Sequence, residues 1–329
     1  MDKRYAVFEL GTRGVRLLVA DASPSGIGQV VFSTGGLSEL GSGRDQANNI
    51  AEDVIARVRQ QAEEYLSRAR EHGAEEIFVF ATEAVRSAAN QAEFLAALAP
   101  VCNVEILDND QEARYSFLAS VEAFKHVLHP DESVLVVDQG GGSLELACGS
   151  LDEDSVIKLQ GFDTLRLGTV ELTRRFAEAR TLRKGYENAN SLIRSELERH
   201  KIFPLLTDRP PTQVYGLGSA ITELAKRLHK DSSARKSLQE LHGLFISTKL
   251  IRDLVAATDA ELNTPKSKLG DRIGVDGDLS TLLGGVSSYY QILEKYRAEG
   301  ITVNRRGLRF GVLLGKVGYP YRIDLPEQE

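Results

Sequence analysis

Residues Val134–Gly149 read V-L-V-V-D-Q-G-G-G-S-L-E-L-A-C-G, and the fold turns on how this stretch is read. The apolar run Val134 to Val137 has the length and β-branching of a buried strand. It ends at Asp138, and Gly140, Gly141, Gly142 and Ser143 follow. Leu144, Leu146 and Cys148 then mark a returning strand, with Glu145 on its other face. Three consecutive glycines weaken a strand or a helix, so they belong in a tight turn whose backbone something approaches closely. Amides in such a turn form a nest for phosphate oxygens. An acid at the strand end can hold a divalent cation that neutralises the same phosphate. The plain alternative is a hairpin with a glycine-rich turn.

Working outward, the same layout recurs in weaker form at the start of the chain. Tyr5–Leu10 reads as a strand with Glu9 near its end, Gly11-Thr12-Arg13-Gly14 as the turn, and Val15 to Ala20 as the second strand. Gly26–Ser33 completes a three-stranded meander. The two copies point to an internal duplication, with a phosphate loop from each half facing a shared cleft. A glycine- and serine-rich passage, Gly35–Gly43, leads to a long helix capped by Asn48 or Asn49, with Ile50, Val54, Val58, Ala62, Tyr65 and Leu66 as its apolar stripe. Glu76–Ala81 and Val104–Leu107 are strands, Gln91–Leu98 is a helix, and Asp108-Asn109-Asp110 caps a helix from Gln111 to about Leu128. Such alternation indicates an α/β layer with a mixed or parallel sheet.

Beyond a linker at His129-Pro130-Asp131 lie the glycine-rich pair, a strand at Ser155–Phe162, and helices at Val170–Glu178 and about Tyr186–His200. Val214 to Gly218 is a strand that passes through Gly218-Ser219 into a helix, Ala220–Leu228, whose N-terminus can face an anion. Leu238–Ala257 and Leu279–Ala298 carry long helical patterns. Gly300–Val303 and Gly307–Leu314 finish the fold, and the last residues are expected to be loose.

Composition limits the function classes. At 329 residues, 42% hydrophobic and 26% charged, the chain is long enough for two globular domains. Its net charge of −7 disfavours nonspecific nucleic-acid binding, so a polyanionic substrate needs a locally basic site. Two cysteines, Cys102 and Cys148, exclude a disulfide framework and suit a reducing compartment. The first residues lack a signal-peptide core and no segment has transmembrane length, so a cytoplasmic protein with no membrane partner is expected.

Six motifs in order carry a family resemblance: A-T-E-A-V-R-S-A-A-N (Ala81–Asn90), Q-E-A-R (Gln111–Arg114), V-V-D-Q-G-G-G-S-L-E-L (Val136–Leu146), L-R-L-G-T-V-E-L-T (Leu165–Thr173), G-L-G-S-A-I-T-E-L-A (Gly216–Ala225) and G-L-R (Gly307–Arg309). Over Tyr5 to about Leu314 the chain resembles the exopolyphosphatase/guanosine pentaphosphate phosphatase (Ppx/GppA) family, within the actin/sugar-kinase/Hsp70 superfamily. The resemblance implies an α/β fold of two actin-like (ribonuclease H-like) domains with an interdomain cleft. The expected divisions are 1–128, 129–304, and a segment 305–329 packing back on the first domain. It implies Glu112 as catalytic base, orienting and deprotonating a water for attack on a terminal phosphorus. Asp138, Glu145 and Glu9 fall at metal positions, for Mg²⁺ or Mn²⁺. Gly11, Thr12, Arg13, Arg16, Arg86, Asn90, Gly140, Gly141, Gly142, Ser143, Gly218, Ser219 and Arg272 fall at phosphate or substrate positions. An ordinary first-turn glutamate is the competing reading of Glu112, and a surface arginine that of Arg16.

The chain departs from the pattern at Glu9 (family Asp), Arg13 (family Asn), Gln139 (family aliphatic) and Phe310 in G-L-R-F-G (family Glu). The implied activity is an Mg²⁺-dependent release of terminal phosphate from polyphosphate or guanosine pentaphosphate, weakened by these departures. A non-hydrolysing alarmone or nucleotide sensor and an actin-fold phosphotransferase are the alternatives. The partner is a phosphorylated small molecule or polyphosphate rather than nucleic acid, and a homodimer is compatible with the sequence.

Overall fold

The computed structural model describes residues 2–41, 44–45, 47–130, 132–179, 181–228, 238–262 and 277–326. Contacts divide the chain into two units, Met1–Ala123 with Leu308–Tyr321, and Phe124–Gly307 with Arg322–Glu329. The expected linker begins at His129-Pro130, and its Asp131 lies outside the described residues.

The first unit opens on β1 (Lys3–Leu10), β2 (Gly14–Ser23) and β3 (Gly26–Leu37), an antiparallel meander. There follow α1 (Glu52–Glu71), β4 (Glu76–Ala81), α2 (Glu83–Arg86), α3 (Gln91–Leu98), β5 (Glu105–Ile106) and α4 (Asn109–Phe124). The sheet order is β3-β2-β1-β4-β5, with β4 parallel to β1 and β5 parallel to β4. β1 is apolar on successive residues because both of its faces are covered. Ala6, Phe8 and Leu10 join Val54, Val58, Ala62 and Leu66 of α1 in one core. Val7, with Leu18 and Phe80, faces Ala119 of α4 and Phe310, Leu313 and Val317 from the chain's end.

The second unit contains β6 (Val134–Gln139), β7 (Leu144–Leu151), β8 (Ile157–Leu165), α5 (Thr169–Ala177), α6 (Leu182–Arg199), β9 (Gln213–Gly218), α7 (Ser219–Leu228), β10 (Phe245–Ser247), α8 (Thr248–Leu262), α9 (Gly277–Lys295) and β11 (Gly300–Val303). Helix α10 (Leu308–Lys316) belongs to the first unit and β12 (Tyr321–Ile323) ends the series. The sheet order is β10-β11-β9-β6-β7-β8-β12. Strands β6, β9 and β11 are parallel, so their carboxyl ends share one sheet edge. Leu135, Val137, Leu144 and Leu146 pack with Leu172 of α5, Leu224 of α7 and Ile292 of α9.

Four local expectations change. The helix expected over Leu238–Ala257 is a single turn, Leu238–Leu241, then strand β10, and α8 starts only at Thr248. The chain turns at Gly243 (φ +83°), and β10 then pairs with β11. Neither Asn48 nor Asn49 caps α1; Ala51 does so without a side-chain bond. Asn48 donates instead to the Ser87 carbonyl and Asn49 to Asp45. Gly35 and Gly36 lie within β3, opposite Arg16 and Val15. Near the end of the chain, Tyr321–Ile323 is ordered as a strand beside β8. Cys102 and Cys148 are both free thiols.

Candidate active site

In the first unit, β1 carries Glu9 to the turn that joins it to β2. The Gly11 N–H donates to the Gly14 carbonyl (3.0 Å) and closes this turn. From outside, Ser38 Oγ donates to the Gly11 carbonyl (2.9 Å) and the Gly41 N–H to that of Thr12 (2.8 Å). These bonds take up loop carbonyls and fix the direction of the turn. Glu9 is buried, and its register partner across the ladder is Arg16. Arg16 Nη1 donates to Glu9 Oε1 (3.2 Å), while Arg309 Nε stands 3.6 Å from Oε2. Arg309 also donates to the Leu17 carbonyl (2.9 Å). The acid that the sequence offered to a metal therefore lies between two guanidinium groups. Arg16, offered to phosphate, is one of them. Phe310 is buried in the core beside β1 and β2, so this departure is a packing residue.

Glu112 sits in the first turn of α4. That turn is fixed by a reciprocal cap: the Gln111 N–H donates to Asp108 Oδ1 (2.7 Å), and Gln111 Oε1 accepts from the Asp108 N–H (2.9 Å). Glu112 is only 6% exposed, and Arg86 at the end of α2 grips its Oε1. The same guanidinium binds the Leu107 carbonyl, Asn109 Oδ1 and Glu83 Oε2 (2.9 Å). Burial works against the Arg86 charge, but Glu112 and then Glu83 outweigh it and raise its pKa. Arg86 is thus a clamp on Glu112. Asn90 is also structural: its Oδ1 accepts from the Ile50 N–H (2.8 Å) and its Nδ2 donates to the Ile50 carbonyl (3.0 Å).

The second unit repeats the turn. The Gly140 N–H donates to the Ser143 carbonyl (3.0 Å), closing the loop between β6 and β7. Its carbonyls cap α5: the Thr169 N–H donates to Gly140 (3.0 Å) and the Val170 N–H to Gly141 (2.9 Å). Gly168, the N-cap, has no room for a side chain, since a Cβ there would overlap the backbone of Gly141 and Gly142. Next to the loop, Gly218 takes φ +108° where β9 turns into α7, in register with Gln139. Ser219 opens α7. Tyr289 of α9, fully buried, donates its hydroxyl to the Leu217 carbonyl and ties α9 to this edge. Burial, then the charge of Asp138, pushes the Tyr289 pKa well up and keeps it a donor. Gln139 reaches the other way and donates to the Leu167 carbonyl (2.8 Å).

Asp138 and Glu145 are register partners on β6 and β7, so both side chains leave the sheet on one face. Two opposed carboxylates disfavour each other unless positive charge or donors stand beside them. A pair of hard oxygen donors is what Mg²⁺ takes from a protein when waters and phosphate oxygens complete its octahedron. These two residues fit that ion. Among the described residues, no group of three or more His, Cys, Asp or Glu is gathered for a metal. Arg272 lies outside the described residues.

Some contributors were not singled out from sequence. Arg309 and Gly168 stand in quoted motifs, where G-L-R and L-R-L-G-T carried the only signal. Ser38 and Tyr289 gave none, because they act through contacts distant in sequence.

Two α/β units, each opening on an antiparallel pair with an acid at the first strand's end, form the actin-like class seen in related solved structures. The chain belongs to the Ppx/GppA phosphatase family, whose model matches residues 18–242. It is similar to Exopolyphosphatase 2 of Mycobacterium tuberculosis, with 29% identity over 253 residues, covering 73% of this chain and 76% of that protein. The crystal structure of the Aquifex aeolicus member of the Ppx/GppA family superposes with a TM-score of 0.74 at 27% identity, covering 96% of this chain and 98% of that one. An exopolyphosphatase from Cytophaga hutchinsonii shares the fold, with a TM-score of 0.75 at 20% identity and coverage of 96% and 98%. Among the described residues no helix is long and apolar enough to cross a membrane.

Proposed function

We propose that this protein is a phosphohydrolase that releases terminal phosphate from inorganic polyphosphate. The observation that carries the reading is Glu112, a buried carboxylate held in place by Arg86 in a member of a phosphatase family. Glu112 orients a water and accepts its proton at Oε1 or Oε2 as the oxygen attacks phosphorus. Arg86 keeps that carboxylate from rotating, and correct placement is worth about 10²-fold in rate. Amides of the Gly140–Ser143 loop receive phosphate oxygens, and the N-terminus of α7 at Ser219 adds its dipole. Asp138 and Glu145 are the residues that would hold Mg²⁺, which when bound supplies positive charge to the phosphate.

The reading includes slow turnover. The first loop carries Arg13 where the family resemblance implies asparagine, and Glu9 is paired with Arg16 and Arg309. Added positive charge that grips substrate and transition state alike gives binding without speed. Guanosine pentaphosphate presents the same free phosphate end and is the second substrate to try. The protein, incubated with Mg²⁺ and either polyphosphate, guanosine pentaphosphate, ATP or pyrophosphate, should release phosphate from polyphosphate without an acceptor. Transfer only to an added acceptor would identify a kinase, and tight binding without product a sensor.

A further inference from the structure

Just before the G-L-R motif the chain reads Asn304-Arg305-Arg306. They leave β11 at its carboxyl end. Val303 is level with Gly216 of β9, and Gly216 is level with Val137 of β6. The Asn304 N–H continues the ladder to the Gly216 carbonyl (2.8 Å). Arg305 and Arg306 thus stand on the edge that carries Gly140 and Gly218, two strand spacings, or about 10 Å, from β6. In parallel sheets this edge is where ligands bind.

The arginine turn is built rather than loose. Asn304 folds back on it: Oδ1 accepts from the Arg306 N–H (2.8 Å) and Nδ2 donates to the Arg306 carbonyl (3.0 Å). His242 Nδ1 accepts from the Arg305 N–H (3.2 Å). The His242 ring lies on Phe124 (4.7 Å between centroids), which stacks on Tyr215 (4.3 Å). Burial first, then Arg306, Arg305 and His126, lower the His242 pKa to about 4. Four basic side chains are therefore gathered at one end of the sheet in a protein whose net charge is −7. Arg305 and Arg306 carry the positive charge of this cluster, and a multiply charged anion is attracted to such a pair. Guanidinium groups suit phosphate because they bind two of its oxygens at once.

We propose that Arg305 and Arg306, backed by His242 and His126, form an anion site on the second unit that takes phosphates of an oligophosphate chain beyond its reacting end. This assignment rests on the phosphohydrolase reading for its ligand class. The site explains how an acidic protein retains a polyanion: the chain is held at points set back from the terminal phosphate.

His242 is a built-in reporter. Histidine resonances of the full chain are followed by NMR against pH, with and without inorganic tripolyphosphate and without Mg²⁺. Tripolyphosphate should raise the His242 pKa by about 1 unit, as a neighbouring opposite charge does. In Arg305→Gln/Arg306→Gln the ligand-free value should start higher, tripolyphosphate should no longer move it, and affinity should fall about 10-fold or more. Arg305→Lys/Arg306→Lys keeps the charge and should retain part of the response, which controls for misfolding of the neutral variant. A wild-type His242 that ignores tripolyphosphate overturns the proposal, as does a full response in the neutral variant. Phosphate release from long polyphosphate by the wild type is measured alongside. Release with a silent His242 refutes this site alone. A responding His242 without release refutes the hydrolase reading and leaves the site standing.

Discussion

The loops Glu9–Gly14 and Asp138–Ser143 are the same device built twice, and they differ in the charge placed opposite the acid. In each, an acid near the end of a strand precedes a turn closed by an N–H to carbonyl bond, Gly11 to Gly14 and Gly140 to Ser143. In each, a returning strand places one residue opposite the acid. Opposite Glu9 that residue is Arg16, and opposite Asp138 it is Glu145. The first pair is internally neutral and Arg309 adds further positive charge, whereas the second doubles the negative charge. One backbone design thus carries an acid–arginine pair in the first unit and a pair of acids in the second.

The largest effect should come from Glu112, the proposed base. Glu112→Gln should lower phosphate release by about 10²–10⁴-fold while substrate affinity stays within a few-fold, because the change is nearly isosteric. Wild-type turnover in this variant, measured by free phosphate, would reduce Glu112 to a helix-start residue. Gly168→Ala tests whether α5 is seated on the second loop. Its methyl group must displace the Gly141–Gly142 backbone, so urea unfolding should show a loss of about 1–3 kcal/mol.

The comparison itself is tested by removing one charge from each loop. Asp138→Asn should raise the Mg²⁺ concentration for half-maximal activity by about 10-fold or more, and Glu9→Gln should leave it within a few-fold. Equal effects would mean that Arg16 and Arg309 do not set the two loops apart.

The smallest effect concerns pH. His242 has a folded pKa of about 4 against an ordinary 6.5, so on acidification the unfolded chain takes up the proton first. The resulting stability is fully present above pH 6.5, declines as pH falls toward 4, and is flat below. After allowance for the partial exposure of His242, the loss should be about 1 kcal/mol. Unfolding free energies of wild type and His242→Gln at pH 7 and pH 4.5 give it as a difference; equal pH dependence would remove the effect.

The buried strands were legible because continuous β-branched runs such as Val134–Val137 have few other homes, and glycine turns beside acids are a local signal. The helix expected over Leu238–Ala257 was not, since one apolar pattern serves a helix or a short buried strand and only pairing with β11 decides. The asparagine cap failed for a similar reason: Asn48 found a better acceptor at Ser87, distant in the chain.

For the site, the sequence alone determined which residue types stand near the turns: glycines, the acids Glu9, Asp138 and Glu145, and Glu112 at a helix start. Those properties depend on nearest neighbours along the chain. Only the tertiary structure decided what each charge does. It gave Glu9 to Arg16 and Arg309, set Arg86 on Glu112, and placed Asn90 on the Ile50 backbone. A charge acts on whatever stands within a few ångströms, and most of these partners lie tens to hundreds of residues away in sequence.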